Sequence, residues 1–230
     1  MSASTRRPAI GERTMALKAV PFFTQLTDRE LDVVRAVATE KHYPKSAVVL
    51  TEGEMGDSLY MIQTGKVKVF IGDEEGREII LKILGPGDFF GEMSMIDKQP
   101  RSASVTTLEP SVFLVLSHAA FEKCVEQAPK IGNMVMQVLA QRVREADRKI
   151  GTLALMDVYG RVASTLLELS VYNNGKLVVG EKLSQQDLAN MVGASREMVN
   201  RILKDLTDRG FISIESKSIT IINRELPPAL

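Results

Sequence analysis

The sequence has a single cysteine, two histidines and no tryptophan among its 230 residues. One thiol, Cys124, cannot form an intrachain disulfide, and it cannot supply the several thiolates of an iron–sulfur cluster or a structural zinc site. Its neighbours Phe121 and Val125 favour a buried helix position over a redox role. His42 and His118 are isolated in the sequence. We therefore expect no metal site and no catalytic metal.

Long apolar runs and an excess of one charge are also lacking. No apolar stretch approaches the ~18–20 residues of a membrane helix, and residues 1–13 lack the apolar core of an export signal. Lys+Arg and Asp+Glu both total 29, and each sign occurs nine times from Asp157 onward. A protein that coats nucleic acid without sequence specificity would be basic overall, whereas a sequence-specific DNA-binding protein needs only a local basic face. We expect a cytoplasmic protein without a membrane segment.

The length suits two domains, and the first has the pattern of a small β structure. A short helix is predicted around Leu26–Ala38, with Thr27 as its N-cap and Glu30 completing a capping box. Six β-rich runs separated by glycine-containing turns follow it, which predicts an antiparallel barrel or roll over residues 21–128. Residues 1–20 are interpreted as a flexible extension. The runs are Ala47–Thr51, Leu59–Ile62, Lys66–Ile71, Glu78–Ile83, Ser104–Thr107 and Val112–Leu116.

A long helix is predicted from Pro129 to Leu153, within a segment bounded at 129 and 156. Small and apolar side chains recur along it at alternating spacings of four and three, which is a heptad seam over three repeats. A stripe of two residues in seven is narrow for a helix that packs only on its own domain. We therefore predict a parallel, two-stranded homodimer. The dimerisation residues are Met136, Leu139, Val143, Ala146, Ile150 and Leu153.

The segment 157–230 carries the pattern of two short helices joined by a tight turn. Ser184 is placed to cap the first helix, with Asp187 three residues on. Gly193 lies where the chain must turn sharply, and Ser195 is placed to cap the second helix. Met198 is expected to complete the packing of that helix. Its apolar stripe consists of Val199, Ile202, Leu203 and Leu206, and the paired β-runs Phe211–Ile214 and Ile219–Ile222 follow.

The opposite side of the second helix is polar, which suits a helix that enters the DNA major groove. Arginine can pair bidentately with guanine, and glutamate can accept from the cytosine amino group. An ordinary helical pair with a solvated charged face is the alternative, but two caps, a glycine turn and a following β-hairpin together favour DNA binding. The predicted DNA-binding residues are Ser184, Gln186, Ser195, Arg196, Glu197, Asn200, Arg201 and Lys204.

A second motif, residues 89–105, has the composition of a ligand site. Gly91 permits close approach of the backbone, and the amides after it can point at an anion. The Glu92 carboxylate suits a pair of sugar hydroxyls, and the Arg101 guanidinium suits a phosphate. These opposite roles fit a ligand with both ribose and phosphate. A structural Arg–Glu pair is a comparable reading of the same residues.

Three stretches resemble the CRP/FNR family of transcription regulators. They are residues 151–161, residues 192–204 and the Gly-Glu motif that is followed, after eight residues, by Arg-Ser-Ala. The resemblance extends over residues 22–222. It implies an α+β protein with an N-terminal antiparallel β-roll of the cyclic-nucleotide-binding type, a long dimerisation helix and a C-terminal winged helix-turn-helix.

The resemblance also implies roles for the residues of the Gly-Glu motif, which is similar to a phosphate-binding cassette. Glu92 would hold the ribose 2′-hydroxyl. Arg101, Ser102 and the amide of Met93 would hold the cyclic phosphate, next to Gly91. The implied effector is a cyclic nucleotide.

The identity of that nucleotide depends on the long helix, where this sequence departs from the family pattern. Family members that bind cyclic AMP present a Thr-Ser pair to the adenine, and the matching positions here are Ala146 and Asp147. Arg142 matches a family arginine that faces the pocket. An aspartate can still accept from an exocyclic amine. Cyclic AMP is our first expectation, cyclic di-GMP the second, and a pocket that needs no ligand the third.

On the DNA side, the resemblance assigns base reading to Arg196, Glu197 and Arg201. It implies palindromic double-stranded DNA with TGTGA-like half-sites and contact with RNA polymerase. Lys217, in the wing, would touch phosphate, a contact that positions the protein without specifying sequence. The alternative function is a cyclic-nucleotide-binding regulatory subunit that acts through protein contacts. An enzyme is disfavoured because the sequence shows no clustered metal ligands and no nucleophile–base pair.

Overall fold

The computed structural model describes residues 26–179, 184–215 and 218–223. The chain divides into two compact units. The first comprises the residues up to Ile71 together with Leu81–Ala140, and the second comprises Gly72–Ile80 and the chain from Gln141 onward. No helix within the described ranges is both long and apolar enough to cross a membrane. The predicted domain boundaries, 1–20, 21–128, 129–156 and 157–230, stay predictions, and residues 1–20 lie outside the described part.

The described residues of the roll form two four-stranded sheets, with strand orders β1-β8-β3-β6 and β2-β7-β4-β5. The pairings of β3 with β8 and of β4 with β7 are antiparallel, as the sequence predicts. The strands are β1 (Thr39–Tyr43), β2 (Val48–Leu50), β3 (Ser58–Thr64), β4 (Val67–Gly72), β5 (Glu78–Leu84), β6 (Phe89–Phe90), β7 (Ser104–Thr107) and β8 (Ser111–Ser117).

Strands β3 and β8 are buried on both faces, which explains why their sequences are continuous apolar runs. One face carries Phe113, which packs with aromatic and aliphatic side chains between the two sheets. Phe113 stands edge-on to Phe90, with ring centroids 5.4 Å apart. The other face carries Leu59 and Leu114, which pack against helices. The sheet of β3 and β8 is therefore the central layer of the roll.

The helices of the first unit are α1 (Asp28–Val37), α2 (Glu92–Asp97), α3 (His118–Gln127) and the first part of α4 (Lys130–Leu155). The predicted capping box is present in α1: the Thr27 side chain accepts from the Glu30 amide, and the Glu30 carboxylate accepts from the Thr27 amide. Cys124 lies fully buried in α3, and burial raises its pKa to about 11. The interpretation of Cys124 as a buried helix residue is confirmed.

The second unit contains the helix-turn-helix and its wing. Its sheet has the strand order β11-β12-β10-β9. A single apolar cluster joins the three helices to this sheet, with Val162 and Leu166 of α5, Leu188 of α6 and Leu206 of α7 among its buried members. The elements are α5 (Val158–Glu168), β9 (Ser170–Asn173), β10 (Lys176–Val179), α6 (Gln185–Val192), α7 (Arg196–Asp208), β11 (Ile212–Glu215) and β12 (Ser218–Ile221).

Besides the two-residue strand β6, strands β1 and β9 are not evident from the sequence. Strand β1 is polar and largely exposed, because it lies at a sheet edge and pairs only with β8. Strand β9 is also an edge strand, and most of it is exposed. Neither strand shows apolar alternation, which is the pattern by which a half-buried strand is predicted.

Candidate functional site

The cassette (Gly91–Ser102) begins where strand β6 turns into helix α2. Gly91 has φ 81°, in the left-handed region, and caps α2. A Cβ atom at Gly91 would lie 2.8 Å from both the Ser58 carbonyl oxygen and Arg101 Nη1. The turn therefore requires glycine for its backbone conformation and for its close approach.

Arg101 lies inside this turn, with only 6% of its surface exposed. Its Nη1 donates to the Gly91 carbonyl at 2.5 Å and to Ser94 Oγ at 3.2 Å, and its Nη2 donates to the Ser58 carbonyl at 3.1 Å. These bonds use three of the five guanidinium N–H groups. Burial lowers the pKa of Arg101, and the charges of Tyr60, Asp57 and Glu92 oppose that shift. The guanidinium stays cationic near neutral pH because its ordinary pKa is so high.

A loop before β3 encloses the same arginine. The Gly53 amide donates to the Arg101 carbonyl at 2.9 Å, and the Arg101 amide donates to the Glu54 carbonyl at 2.9 Å. A Cβ atom at Gly56 would collide with the guanidinium group. The loop thus holds Arg101 through its backbone and leaves room for its side chain.

The other predicted cassette residues lie around Arg101. Glu92 is buried in the first turn of α2, and its charge acts on Arg101. Ser102 Oγ donates to Met93 Sδ at 3.5 Å, and Met93 is about half exposed. The structure therefore brings Gly91, Glu92 and Arg101 into one turn, with Ser102 against Met93. Their contact with a nucleotide stays a prediction.

The remaining predicted ligand residues lie on α4, in the second unit. Arg142 is half-buried, and Ala146 and Asp147 are exposed. Their contact with a nucleotide also stays a prediction. Over the described parts of both units, no three histidine, cysteine or carboxylate side chains come together as a metal site.

The heptad seam of α4 is largely exposed in the single chain. Leu139 packs partly against the core of the first unit, whereas Ala146 is exposed. The other four seam residues are 46–64% exposed. An apolar stripe of this kind fits a partner helix, and self-association stays a prediction. These four residues are Met136, Val143, Ile150 and Leu153.

The helix-turn-helix has the predicted caps. Ser184 and Asp187 form a reciprocal capping box at the start of α6. Gly193 ends α6 in the left-handed conformation, with φ 64° and ψ 51°. Ser195 Oγ then accepts from the Met198 amide at 3.2 Å and begins α7. Each end of the turn is thus fixed by a residue whose chemistry the sequence already indicates.

Helix α7 divides sharply into an apolar and a polar side. Its four predicted apolar residues, Val199 to Leu206, are buried. The polar face of α7 consists of Arg196, Glu197, Asn200, Arg201 and Lys204; Asn200 is half-buried and the other four are exposed. None of the five side chains forms a hydrogen bond or an ion pair with any described residue. The polar face is therefore available to an external partner.

The expectation that Met198 completes the packing of α7 is wrong. Its side chain is 36% exposed and does not complete the buried stripe, because three residues from Ser195 it still lies in the first turn, on the outer side of α7. The buried packing instead begins at Val199.

The helices of the second unit are held together by contacts that the sequence does not indicate. Arg161 donates from Nε to the Val192 carbonyl at 2.8 Å and from Nη1 to the Met156 carbonyl at 2.9 Å. Tyr159 donates to Asp205 Oδ2 at 2.8 Å, which fixes α7 on α5. The partners in these contacts between helices are 31 and 46 residues apart. No local pattern predicts pairs of that separation.

The other predicted DNA-binding residues surround α7 in different ways. Ser184 and Gln186 are exposed at the start of α6, and Gln186 Nε2 donates to Asn190 Oδ1 at 2.8 Å. The wing is a β-hairpin in which Ile212 pairs with Ile221 and Glu215 with Ser218. Lys217 lies outside the described residues.

A β-roll with a glycine–glutamate–arginine cassette, joined through a long helix to a winged helix-turn-helix, defines a class of DNA-binding regulators that respond to a small ligand. Family models agree: residues 40–128 match the cyclic nucleotide-binding domain, and residues 160–226 match the Crp-like helix-turn-helix domain. The chain belongs to the CRP/FNR family of transcription regulators, which are not enzymes.

Individual relatives span most of the chain. The CRP-like cAMP-activated global transcriptional regulator of Mycobacterium tuberculosis is 40% identical over 80% of this chain and 84% of its own length. The cyclic AMP receptor protein of Thermus thermophilus is 31% identical over 89% and 94%. A solved structure of the c-di-GMP responsive global regulator CLP of Xanthomonas campestris is 26% identical, with a TM-score of 0.75 over 86% of this chain and 100% of that one.

Proposed function

We propose that this protein is a homodimeric transcription regulator that reads palindromic DNA with α7 and is gated by cyclic AMP. The polar face of α7 is the observation that carries the proposal. Five polar side chains without a partner among the described residues lie side by side on a helix whose other side is buried. That arrangement suits a helix that enters the major groove and exchanges water for base edges.

In this proposal Arg196 and Arg201 each read a guanine, and Glu197 accepts from a cytosine amino group. The half-sites are TGTGA-like. Pairing of the α4 seams in a dimer sets two copies of α7 about 34–36 Å apart, which is one turn of DNA. Contact with RNA polymerase on the DNA completes the activity of a regulator that acts in the cytoplasm.

Cyclic AMP is supported by the cassette and by the relatives. Glu92 would receive the ribose hydroxyl, and Arg101 and Ser102 the cyclic phosphate. The relatives of Mycobacterium tuberculosis and Thermus thermophilus are both named for cyclic AMP. A ligand that binds one dimer geometry more tightly than another would favour that geometry, which is gating by population shift.

Cyclic di-GMP is the second candidate effector, and the long helix favours it. Ala146 and Asp147 stand where cyclic-AMP-binding family members present a Thr-Ser pair. The structural neighbour from Xanthomonas campestris is named for its response to c-di-GMP. Asp147 would then accept from a guanine amino group.

The test combines calorimetry with DNA titration. The purified protein is titrated with cyclic AMP, cyclic GMP and cyclic di-GMP, and then with a palindromic TGTGA-type duplex and a scrambled duplex. We expect cyclic AMP to bind and to tighten binding to the palindrome only. The same DNA affinity with every nucleotide contradicts gating. Nucleotide binding without any duplex binding favours a regulatory subunit that acts through protein contacts.

A further inference from the structure

Asn200 is the one uncharged side chain in the polar face of α7. It is half-buried, and its Oδ1 is shielded from solvent without a hydrogen-bond partner among the described residues. The amide as a whole makes no hydrogen bond to a described residue. A polar group buried without a partner is rare in native proteins, because the group has lost its water and gained nothing in return. Asn200 thus lacks, within the described part of the chain, the partner that its burial calls for.

The position of Asn200 restricts what its partner can be. Arg196, Asn200 and Lys204 are spaced four residues apart, so they form one line along the helix. Glu197 and Arg201 form the neighbouring line. Asn200 therefore lies at the centre of the polar face, with longer charged side chains at both ends of its line. Its short side chain reaches only what lies directly against the helix, whereas the longer side chains can extend to phosphates.

We propose that Asn200 reads an adenine in each half-site, an inference that rests on the proposed DNA reading by α7. The amide offers one donor and one acceptor side by side, and adenine presents a matching N7 acceptor and N6 donor in the major groove. Pairing requires Asn200 to rotate about its side-chain bonds so that Oδ1 turns outward. That rotation breaks no hydrogen bond to a described residue, because the amide makes none.

The experiment is a double-mutant cycle between Asn200→Ala and the DNA. Each adenine of the palindromic duplex is replaced in turn by purine, which lacks the N6 amino group. For the wild-type protein we expect a roughly 5- to 100-fold loss of affinity at one adenine per half-site. Asn200→Ala is expected to bind the unmodified duplex with an affinity lower by a similar factor. Its affinity should not fall further when that adenine is replaced.

Folding is followed by thermal unfolding of the same proteins. Since the amide makes no hydrogen bond to a described residue and alanine favours helix, Asn200→Ala is expected to keep or raise the Tm. Asn133→Ala, which replaces an exposed asparagine of α4, is the matched control and should leave DNA affinity unchanged. Asn200→Asp keeps the shape and the acceptor for N6 but removes the donor to N7, so it should bind the unmodified duplex more weakly than wild type and still lose affinity when N6 is removed, unlike Asn200→Ala.

Three results overturn the assignment. If every purine substitution lowers the DNA affinity of wild type and of Asn200→Ala equally, Asn200 does not contact the N6 group. An equal loss on palindromic and scrambled duplexes identifies a phosphate contact instead. No loss at all shows that the amide touches no DNA. Failure of the proposed function is distinct, because wild-type protein would then not distinguish the two duplexes before any variant is compared.

Discussion

Arginine is used in opposite ways in the two units. In the cassette, Arg101 is buried and donates three hydrogen bonds to the protein itself. On α7, Arg196 and Arg201 are exposed and make no bond to a described residue. The first arginine is part of the fold as well as a candidate ligand contact. The other two contribute nothing evident to the fold, so their loss should affect only DNA recognition.

The largest combined effect, on stability and on ligand binding together, is expected from Arg101→Ala. The substitution leaves the carbonyls of Gly91 and Ser58 without their donor inside the cassette, and we expect a loss of about 3 kcal/mol in the free energy of unfolding. Cyclic-nucleotide binding should be lost with it. Denaturant unfolding and calorimetry measure the two effects.

The matched control for Arg101 is Arg77→Ala. Arg77 is also paired, with Asp73 at 2.6 Å, but its side chain is 73% exposed. Water replaces the lost pair there, so we expect a change below about 1 kcal/mol. Equal losses for the two variants would contradict the contrast between buried and exposed arginines.

Comparing Gly91→Ala with Gly53→Ala separates two costs to stability: the left-handed backbone conformation and the collision of the added Cβ atom. Gly91 and Gly53 both have φ +81°, but a Cβ meets nothing at Gly53 and lies 2.8 Å from a backbone oxygen at Gly91. The left-handed conformation costs alanine about 1–2 kcal/mol at either position, and the collision adds about 1–3 kcal/mol at Gly91 only. Urea unfolding of both variants checks the difference. Equal destabilisation would show that the cassette turn does not approach so closely.

Arg196→Ala and Arg201→Ala test the other side of the comparison. Each is expected to weaken palindrome binding by about 1–3 kcal/mol and to relax specificity at one base pair. The free energy of unfolding should change by no more than about 0.5 kcal/mol. DNA titration and urea unfolding give the two values, with Arg144→Ala on exposed α4 surface as the control. Equal weakening on scrambled DNA would contradict the base-reading assignment.

The smallest effect is expected from Tyr159→Phe, which removes the hydroxyl bound to Asp205. We expect a loss of about 1 kcal/mol in the free energy of unfolding. Burial is the largest cause that raises the pKa of Tyr159, and the hydrogen bond to Asp205 is the second. The folded state therefore holds the phenolic proton more tightly than the unfolded state. This stabilisation is complete below about pH 10 and is lost as the pH rises through the higher folded-state pKa. The variant should lose less stability than wild type over that range.

Local features of the fold are predictable from the sequence, and contacts over long separations are not. Ser184, Gly193 and Ser195 mark the turn between the two helices because capping and left-handed turns depend on neighbouring residues. Glu92 and Arg101 are recognisable by their chemistry and spacing. The bonds of Arg101 to Ser58 and of Tyr159 to Asp205 have no such signal, because they form only after distant segments have packed.

The pairing of β1 with β8 has a consequence for how the chain folds. Thr39 lies opposite Val115, so the central sheet of the roll closes across 76 residues of sequence (115 − 39). During synthesis that sheet cannot be completed until Ser117 has left the ribosome, and its closure carries the loop entropy of the whole roll. The α6–α7 pair needs only a turn of a few residues. We therefore expect the DNA-reading helices, although made last, to form faster than the roll that precedes them.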